Sequence, residues 1–301
     1  MKNYFYILLL ILVSCKHEEN SNRLVRVIDS TYIINGGIEN TIYGRYNTKI
    51  VISPNTFVDG YGYFVEDSIK ILLSEFYTRK DILLSRIQTT YNNKLLISHG
   101  FIRIDAFSQN NETLKVYKKG KIEIEFDTSF YDKRYKPEVF FRNISDSIQG
   151  WRKDTSSVFP IKEIIETPKI GYTVISYKNK GYSTIIVKLG WINLDNIHEL
   201  PAEKKSDLIV NVNRSFKSNV SLVFKDIRSV VSSSKPEDGK IVFQDMPKGE
   251  RVVLIAYGFD EDGELYVGYK EATIGKDLQV TFEVRHCSKE ELEAELTKLD
   301  Y

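Results

Sequence analysis

The 301-residue chain carries 42 Lys and Arg against 41 Asp and Glu, which gives a formal net charge of +1. This balance argues against a nucleic-acid partner, which would need a concentrated excess of positive charge. The length allows two domains of ordinary size, and 19 Tyr and 16 Phe beside only 2 Met favour β-sheet faces over helical cores.

The first fifteen residues have the order of an export signal. Lys2 precedes an apolar run at residues 4–13, and Ser14 and Cys15 follow it. As a helix this run would extend about 15 Å, half of a hydrocarbon core of roughly 30 Å, so it is too short to span a membrane. A positive start, a short apolar core and a small residue before the cleavage point indicate a signal peptide over residues 1–14.

The end of this segment, Leu12-Val13-Ser14-Cys15, resembles the lipobox of bacterial lipoproteins. The resemblance implies cleavage between Ser14 and Cys15, a diacylglycerol on the Cys15 thiol, and a fatty acyl group such as palmitate on the new amine. One acyl chain binds a membrane only reversibly, whereas two or three hold a protein there stably. The alternative is an ordinary secretory signal with a chance cysteine.

Residues 15–28 are expected to form a lipidated tether, because the sequence after Cys15 is polar. Its start, Lys16-His17-Glu18-Glu19, resembles the export signal of Bacteroidota surface lipoproteins. This resemblance implies the outer face of the outer membrane, that is, the cell surface. A solvated spacer on a protein that faces the periplasm is the alternative.

Short alternating runs then predict an all-β fold. Residues 121–126 are the clearest case, with Ile122, Ile124 and Phe126 on one face and charged side chains on the other. Changes in composition near residues 146–160 and 201–207 suggest two or three β-sandwich-like domains in tandem. The predicted units are an N-terminal β domain (29–150), a middle β segment (151–204), a C-terminal β-sandwich (205–287) and a short C-terminal helix (288–301).

The sequence signal for the C-terminal helix is specific. Ser288 and Glu291 have the spacing of a capping box, in which each side chain satisfies a free backbone amide of the other residue. Leu292, Leu296 and Leu299 follow as one apolar stripe. We expect this stripe to pack against the last sheet, and docking onto a partner protein is the alternative.

Several stretches resemble a domain of unassigned function that recurs in Bacteroidota surface lipoproteins. They are residues 36–37, 52–59, 69–75, 95–100, 139–141, 151 and 189–195. The paired glycines and the strand after them also resemble the β-sandwich of ankyrins and netrin receptors. Residues 239–250 resemble the prealbumin-like sandwiches attached to carboxypeptidases and outer-membrane receptors. These resemblances imply an architecture and not a chemistry.

No catalytic motif is present in the sequence. It contains neither a Gly-x-Ser-x-Gly elbow nor a glycine loop that would bind phosphate. His198-Glu199 begins like a zinc-protease helix, but Ala202 replaces the second histidine and Pro201 would break the helix. We therefore expect no catalytic residues, no cofactor and no enzyme activity.

Two other candidate sites, an acidic segment and a cysteine, each have a structural explanation as well as a functional one. Asp260 and Asp262 are candidate calcium ligands within Asp260-Glu261-Asp262-Gly263-Glu264, but a hairpin turn between two strands explains the same residues. Cys287 has no partner for a disulfide if Cys15 is lipidated, so it is expected to be a buried, small apolar residue. A reactive thiol is the alternative for Cys287.

Aromatic residues are the remaining candidates for ligand binding. Tyr61, Tyr63 and Phe64 lie near a turn, and a second group lies in the last third of the N-terminal domain. The second group consists of Tyr131, Tyr135, Phe140, Phe141 and Trp151. Exposed rings could stack on a glycan or a protein, whereas rings in a β core would be structural.

Together these features predict a non-catalytic outer-membrane lipoprotein that acts as a binding or scaffold module. Its expected partners are the membrane, through the lipid, and a protein or glycan ligand. The alternatives are a lipoprotein hydrolase with a dispersed active site, and an accessory subunit of an outer-membrane import receptor. A cleft with convergent acids or a perturbed histidine would favour the hydrolase.

Overall fold

A computed structural model describes residues 29–127, 137–142, 151–153, 161–166, 178–213, 219–233, 236–260 and 262–300. The predicted signal peptide, the cleavage site at Ser14 and Cys15, and the tether at residues 15–28 all lie outside these residues. Strands predominate in the described chain, which confirms the predicted all-β fold. None of the helices within the described ranges is both long and apolar enough to cross a membrane.

The strands are numbered in chain order. They are β1 (Ser30–Asn35), β2 (Asn40–Tyr43), β3 (Lys49–Ile52), β4 (Phe57–Val58), β5 (Ser68–Phe76), β6 (Thr90–Tyr91), β7 (Lys94–Phe107), β8 (Lys115–Val116), β9 (Ile122–Glu125), β10 (Glu138–Arg142), β11 (Arg152–Lys153), β12 (Ile161–Glu166), β13 (Lys178–Ile186), β14 (Gly190–His198), β15 (Lys205–Asn211), β16 (Ser221–Phe224), β17 (Val230–Ser232), β18 (Lys240–Pro247), β19 (Arg251–Phe259), β20 (Leu265–Thr273), β21 (Gln279–Thr281) and β22 (Arg285–His286). The helices are α1 (Arg79–Ser85) and α2 (Lys289–Thr297), with short 3-10 turns at Ala202–Lys204 and Lys298–Asp300.

The N-terminal sandwich packs two sheets face to face. One sheet has the order β1-β5-β7-β14-β10-β11, with β6 paired to β7, and the other has the order β12-β13-β9-β3-β2. The ribbon β4-β8 lies beside them. Their common core includes Ile71 and Ile104 from the first sheet and Ile50, Ile122 and Ile124 from the second. The alternating run at 121–126 is therefore a half-buried strand, as predicted.

The strands of the predicted middle segment belong to these same two sheets. β12 and β13 extend the second sheet, and β14 lies between β7 and β10 in the first. A central strand contributes side chains to the core on which both neighbours depend. The change in composition near 146–160 therefore falls within the N-terminal sandwich.

The C-terminal sandwich contains a three-stranded sheet, β18-β15-β21, and a five-stranded sheet, β17-β16-β19-β20-β22. Strands β15 and β21 run parallel, and the other pairs in these two sheets run antiparallel. Leu208, Val210, Leu222, Leu254 and Phe282 are among the residues of its core. Their alternation along each strand supplies the apolar inner faces that hold the two sheets together.

The two sandwiches meet in a third core, which we call the seam. The N-terminal sandwich contributes aromatic rings, and the C-terminal part contributes aliphatic side chains from β19, β20 and α2. The principal members are Phe76, Phe101, Phe140, Trp151, Val253, Ile255, Leu265, Val267, Leu292, Leu296 and Leu299. The rings of Phe76 and Phe101 stack at 4.7 Å between centroids, and Trp151 meets Phe101 edge-on at 5.3 Å.

Hydrogen bonds also cross the seam. Arg79, the first residue of α1, donates from Nε to the Phe224 carbonyl at 2.6 Å and from Nη2 to the Lys225 carbonyl at 2.7 Å. The Thr89 amide donates to the Val230 carbonyl at 2.9 Å. Since a buried carbonyl without a donor costs free energy, these bonds fix one sandwich against the other.

The C-terminal helix forms as predicted. Glu291 N donates to the Ser288 side chain at 3.1 Å, and Ser288 N donates to the Glu291 carboxylate at 2.8 Å, which completes the capping box. Leu292, Leu296 and Leu299 are all buried at the seam. The prediction that the stripe packs on the last sheet is confirmed, and it also reaches the N-terminal sandwich.

The short helix α1 was not predicted from the sequence. The Thr78 side chain caps it by accepting from Asp81 N at 3.0 Å, and Arg86 ends it with a left-handed backbone at φ 58°. Only Ile82 and Leu83 are buried within its seven residues. Two adjacent apolar residues are too few to show a helical period, although the polar cap was readable.

Candidate functional site

Two stretches that carry the lipoprotein resemblance meet across β7 and β14. Ser98 lies opposite Asp195, and Phe101 lies opposite Asn193. Two residues of β7, at 99 and 100, therefore face a single residue of β14, which is a β-bulge. Gly100 adopts φ 113°, and a Cβ there would lie 2.2 Å from the Tyr77 ring, so this bulge requires glycine.

The bulge brings together five buried polar residues, which we call the bulge cluster. They are Ser98, His99, Asn193, Asp195 and Asn196. Asn193 Nδ2 donates to Asp195 Oδ2 at 2.5 Å, and His99 Nε2 lies 2.6 Å from Asn196 Oδ1. The amide of Gly100 donates to Ser98 Oγ at 3.1 Å. Hydrogen bonds among buried polar side chains rigidify a core.

The bulge cluster contains Ser, His and Asp but does not arrange them as a catalytic triad. A triad requires the His to bridge the Ser and the Asp, whereas here His99 Nε2 engages Asn196 and Asp195 Oδ2 engages Asn193. Burial raises the pKa of Asp195 well above its usual range, although hydrogen bonds from Ser98 and Asn193 oppose the shift. The five side chains are nearly inaccessible to solvent, so the cluster locks β7 to β14 and offers no surface to a substrate.

A cleft of about 260 Å³ opens at one edge of the contact between the sandwiches, and we call it the seam cleft. Residues 93–95 and 198–200 line one side, and Lys205 with residues 245–247 lines the other. Lys94 Nζ pairs with Glu199 Oε1 at 2.5 Å. The seam cleft thus combines acids, lysines and one histidine, which is the kind of site that would suit a hydrolase.

His198 is the titratable group of interest in the seam cleft. Burial lowers the pKa of His198, which favours the neutral form of its imidazole. No hydrogen bond joins its side chain to another residue in the described ranges. The lining residues of the seam cleft include no Ser, Thr or Cys, so they do not form a Ser–His or Cys–His pair with His198.

His198 is the last residue of strand β14. His198 and Ala202 therefore do not share a helix face, in agreement with the prediction that His198-Glu199 does not begin a zinc-protease helix. Within the described chain, no group of three or more His, Cys, Asp or Glu side chains could hold a metal ion.

The candidate calcium ligands lie in a hairpin loop between β19 and β20. Asp260 Oδ1 accepts from the backbone amides of Asp262 at 3.0 Å and Glu264 at 2.8 Å. Gly263 takes a left-handed backbone at φ 80°, as the third residue of such a loop requires. The Asp260 carboxylate thus holds the backbone of its own loop, and a hairpin turn accounts for this sequence.

Asp59 forms the same kind of loop in the N-terminal sandwich. Its Oδ1 accepts from the amides of Tyr61 and Tyr63, both at 2.9 Å, and Gly62 takes φ 92°. The shared signal is an Asp followed three residues later by Gly, and it was readable in the sequence. This carboxylate fixes the backbone that presents the aromatic residues.

The aromatic residues near Asp59 are exposed. The exposed fraction is 90% for Tyr61, 73% for Tyr63 and 46% for Phe64. The Phe64 ring meets the Tyr117 ring edge-on at 4.9 Å. By contrast, Phe140 and Trp151 of the second group are buried at the seam and Phe141 is half-buried. Tyr131 and Tyr135 lie outside the described residues.

Four lysines lie in β8, which pairs with β4, or directly after it, and sequence reasoning missed them. They are Lys115, Lys118, Lys119 and Lys121, all exposed. Pairing of β4 with β8 sets Val58 opposite Lys115, while Val58 also bridges Phe64. We call this region, residues 57–64 and 115–121, the free end, because it lies at the end of β5 away from Asp29 and the seam.

Cys287 is half-buried against the seam core. Burial raises the pKa of its thiol, which makes the reactive thiolate scarcer at neutral pH. This position agrees with the prediction of a small apolar residue more than with a reactive thiol.

Comparisons with known proteins do not assign the chain to a family. No family model, no curated protein and no solved structure matches it.

Proposed function

We propose that this chain is a lipid-anchored envelope protein that works as a non-catalytic binding module at the outer membrane. The lipid on Cys15 would hold it to the membrane, and the free end would contact the ligand. The observation that carries this proposal is the exposure of Tyr61 and Tyr63 on a loop that the Asp59 carboxylate holds rigid. Exposed rings on a fixed backbone bind with little loss of conformational entropy.

The position of the free end relative to the tether supports the same proposal. Asp29 Oδ1 accepts from Ser74 Oγ at 2.5 Å, whereas the free end lies near Ser68, where β5 begins. Ser74 lies six residue steps along β5 from Ser68, which is about 20 Å. A tether that enters at Asp29 would therefore leave the free end pointing away from the anchored membrane.

Lipid labelling tests the anchor. Cells that make the protein are grown with radiolabelled palmitate, and the chain is recovered as wild type, Cys15→Ala or Cys287→Ala. Wild type and Cys287→Ala should carry label, and Cys15→Ala should not. Label on Cys15→Ala, or no label on the wild-type protein, would contradict the proposal that lipid is attached to Cys15.

Protease accessibility tests the cell-surface part of the proposal. Intact cells and lysed cells are treated with protease, and the mature chain is followed by blotting. Digestion in intact cells supports the outer face of the outer membrane. Protection until lysis contradicts the surface location and leaves a periplasmic anchor.

A hydrolase is the second candidate, because the seam cleft holds the neutral imidazole of His198. Ester, glycoside and peptide substrates are screened with wild type and His198→Gln. Turnover that His198→Gln abolishes would establish the hydrolase and contradict the binding module. Co-purification with a large barrel protein would instead identify an accessory subunit of an import receptor.

A further inference from the structure

We propose that the free end binds an acidic polysaccharide, with Tyr61 and Tyr63 against sugar faces and the lysines of residues 115–121 against its anionic groups. This inference rests on the proposed binding function and adds the chemical class of the ligand. It follows from two features that the fold places side by side, an aromatic loop and a basic turn.

The basic turn concentrates charge of one sign. Four lysines occur within seven residues, and residues 113–122 contain no acid. None of these four lysines forms an ion pair with another residue in the described parts of the chain. Exposed ammonium groups without internal partners are available to an external anion.

Two acids of this end, Glu66 and Asp67, lie on the opposite side of the aromatic loop. The amides of Gly36 and Gly37 donate to the carbonyls of Asp67 and Glu66, which places those two acids beside β1. The lysines lie in β8 and directly after it, on the other side of β4. The Asp59 carboxylate accepts two backbone hydrogen bonds from its own loop. The lysines and these acids therefore lie on separate sides of the free end, and an anionic ligand would lie along the β8 side.

The aromatic loop determines which kind of anion fits. Val58 pairs with Phe64 on one side and with Lys115 on the other, so the side chains of Phe64 and Lys115 lie in one row across the strands. Tyr117 lies two residues after Lys115, so its side chain points to the same face. Two rings, Phe64 and Tyr117, and the ammonium group of Lys115 thus share one face. A chain of acidic sugars likewise presents apolar ring faces beside charged groups.

An anionic membrane is the competing occupant, and the residue types argue against it. The most exposed rings are tyrosines, whose hydroxyls resist deep insertion, and Phe64 is partly covered by Tyr117. Neither loop, at 59–64 and 117–120, contains Leu, Ile, Trp or Met that would enter hydrocarbon. The free end is therefore suited to stacking rather than to insertion.

Affinity electrophoresis tests the inference on the full chain carrying Cys15→Ala, which has no acyl anchor. Native gels contain polygalacturonate, chondroitin sulfate or neutral dextran. We expect retardation in at least one of the acidic gels and none in dextran. In the acidic gel, Tyr61→Ala with Tyr63→Ala should weaken binding about tenfold, as expected for two lost stacking contacts. Lys118→Gln with Lys119→Gln should weaken it about fivefold and reduce its dependence on salt.

Matched variants control for general effects on surface and charge. Tyr43→Ala removes a tyrosine that is 60% exposed at the other end of the same sandwich. Lys240→Gln with Lys276→Gln removes two exposed lysines of the C-terminal sandwich. Both should bind the acidic gel as the parent chain does.

Three outcomes would overturn the inference. They are migration unchanged by both acidic polysaccharides, equal retardation in dextran, and retardation that the free-end variants do not weaken. Sedimentation with phosphatidylglycerol vesicles that the free-end variants abolish would instead identify a membrane as the occupant.

Failure of this inference can be distinguished from failure of the proposed anchor. If Cys15 carries lipid but the acidic gels do not retard the protein, only the ligand class is wrong. If Cys15 carries none, the anchored function fails whatever the free end binds.

Discussion

The seam and the free end use the same residue types for opposite purposes. At the seam, the rings of Phe101 and Trp151 are buried, and Arg79 donates hydrogen bonds to backbone carbonyls of the other sandwich. At the free end, Tyr61 is 90% exposed, and Lys118 and Lys119 have no partner in the described chain. Rings and cations stabilise the fold where they are enclosed, and they remain available to a ligand where they are open.

Glycine substitutions should give the largest contrast, between the enclosed bulge beside the seam residue Phe101 and the open free end. Gly100 and Gly62 both have positive φ, but a Cβ on Gly100 would meet the Tyr77 ring, whereas one on Gly62 would meet nothing within 4 Å. We expect Gly100→Ala to lower the free energy of unfolding by about 3 kcal/mol or more, through backbone strain and overpacking. Gly62→Ala should cost about 1 kcal/mol. Urea unfolding measures both, and equal losses would mean that the bulge is not tightly packed.

Arginine substitutions should give the next largest contrast. Arg79→Met leaves the carbonyls of Phe224 and Lys225 without these donors, so we expect a loss of about 2–3 kcal/mol. Arg251→Met removes an exposed pair with Asp226 and should leave stability unchanged. Calorimetry should show one transition in the wild type, because the seam core is shared. Two separate transitions in the wild type would contradict a fused pair of sandwiches.

The bulge cluster should make stability depend on pH. Burial raises the pKa of Asp195 in the folded state, so folding favours its neutral form. The contribution of Asp195 is therefore complete below its unfolded pKa of about 3.9 and is lost as the pH rises towards the folded pKa. Asp195→Asn cannot ionise, so its stability relative to wild type should rise with pH by about 1 kcal/mol per unit in that window.

Urea unfolding at several pH values between 4 and 8 measures this slope. Asp67→Asn removes an exposed carboxylate near the free end and serves as the control. A difference between Asp195→Asn and wild type that is constant with pH would show that Asp195 is not held neutral by burial.

The smallest effect on stability is expected from the free-end tyrosines. Tyr61→Ala with Tyr63→Ala should change the free energy of unfolding by less than about 0.5 kcal/mol, because exposed rings bury little area. Urea unfolding tests this directly. A loss of several kcal/mol would mean that these rings hold the loop together, and a binding defect in the same variant would then have a structural cause.

Local patterns predicted the parts of the fold that depend on neighbouring residues. The alternation of Ile122 and Ile124 identified a strand, and Ser288 with Glu291 identified the start of a helix. No local sequence pattern indicates the seam, because its contacts join residues far apart in the chain. Arg79 and Phe224, for example, are 145 residues apart. The placement of β14 between β7 and β10 was equally hidden, since no turn or period encodes which strands pair.

The candidate site was half predictable for the same reason. Tyr61 and Tyr63 stood out because they follow a turn signal at Asp59. The lysines in and after β8 became relevant only when pairing of β8 with β4 brought this segment to the aromatic loop. In the same way, Ser98 and Asp195 belong to the stretches that resemble the lipoprotein domain. They come together in one buried cluster only because of the bulge between β7 and β14.

Amide hydrogen exchange of the full chain with and without polygalacturonate tests most directly whether ligand binding belongs to the free end and not to the seam. The account predicts slower exchange in residues 57–66 and 113–121 when the polysaccharide is present, with the rest of the described chain unchanged. Slower exchange confined to residues 93–95 and 198–205, which border the seam cleft, would contradict it.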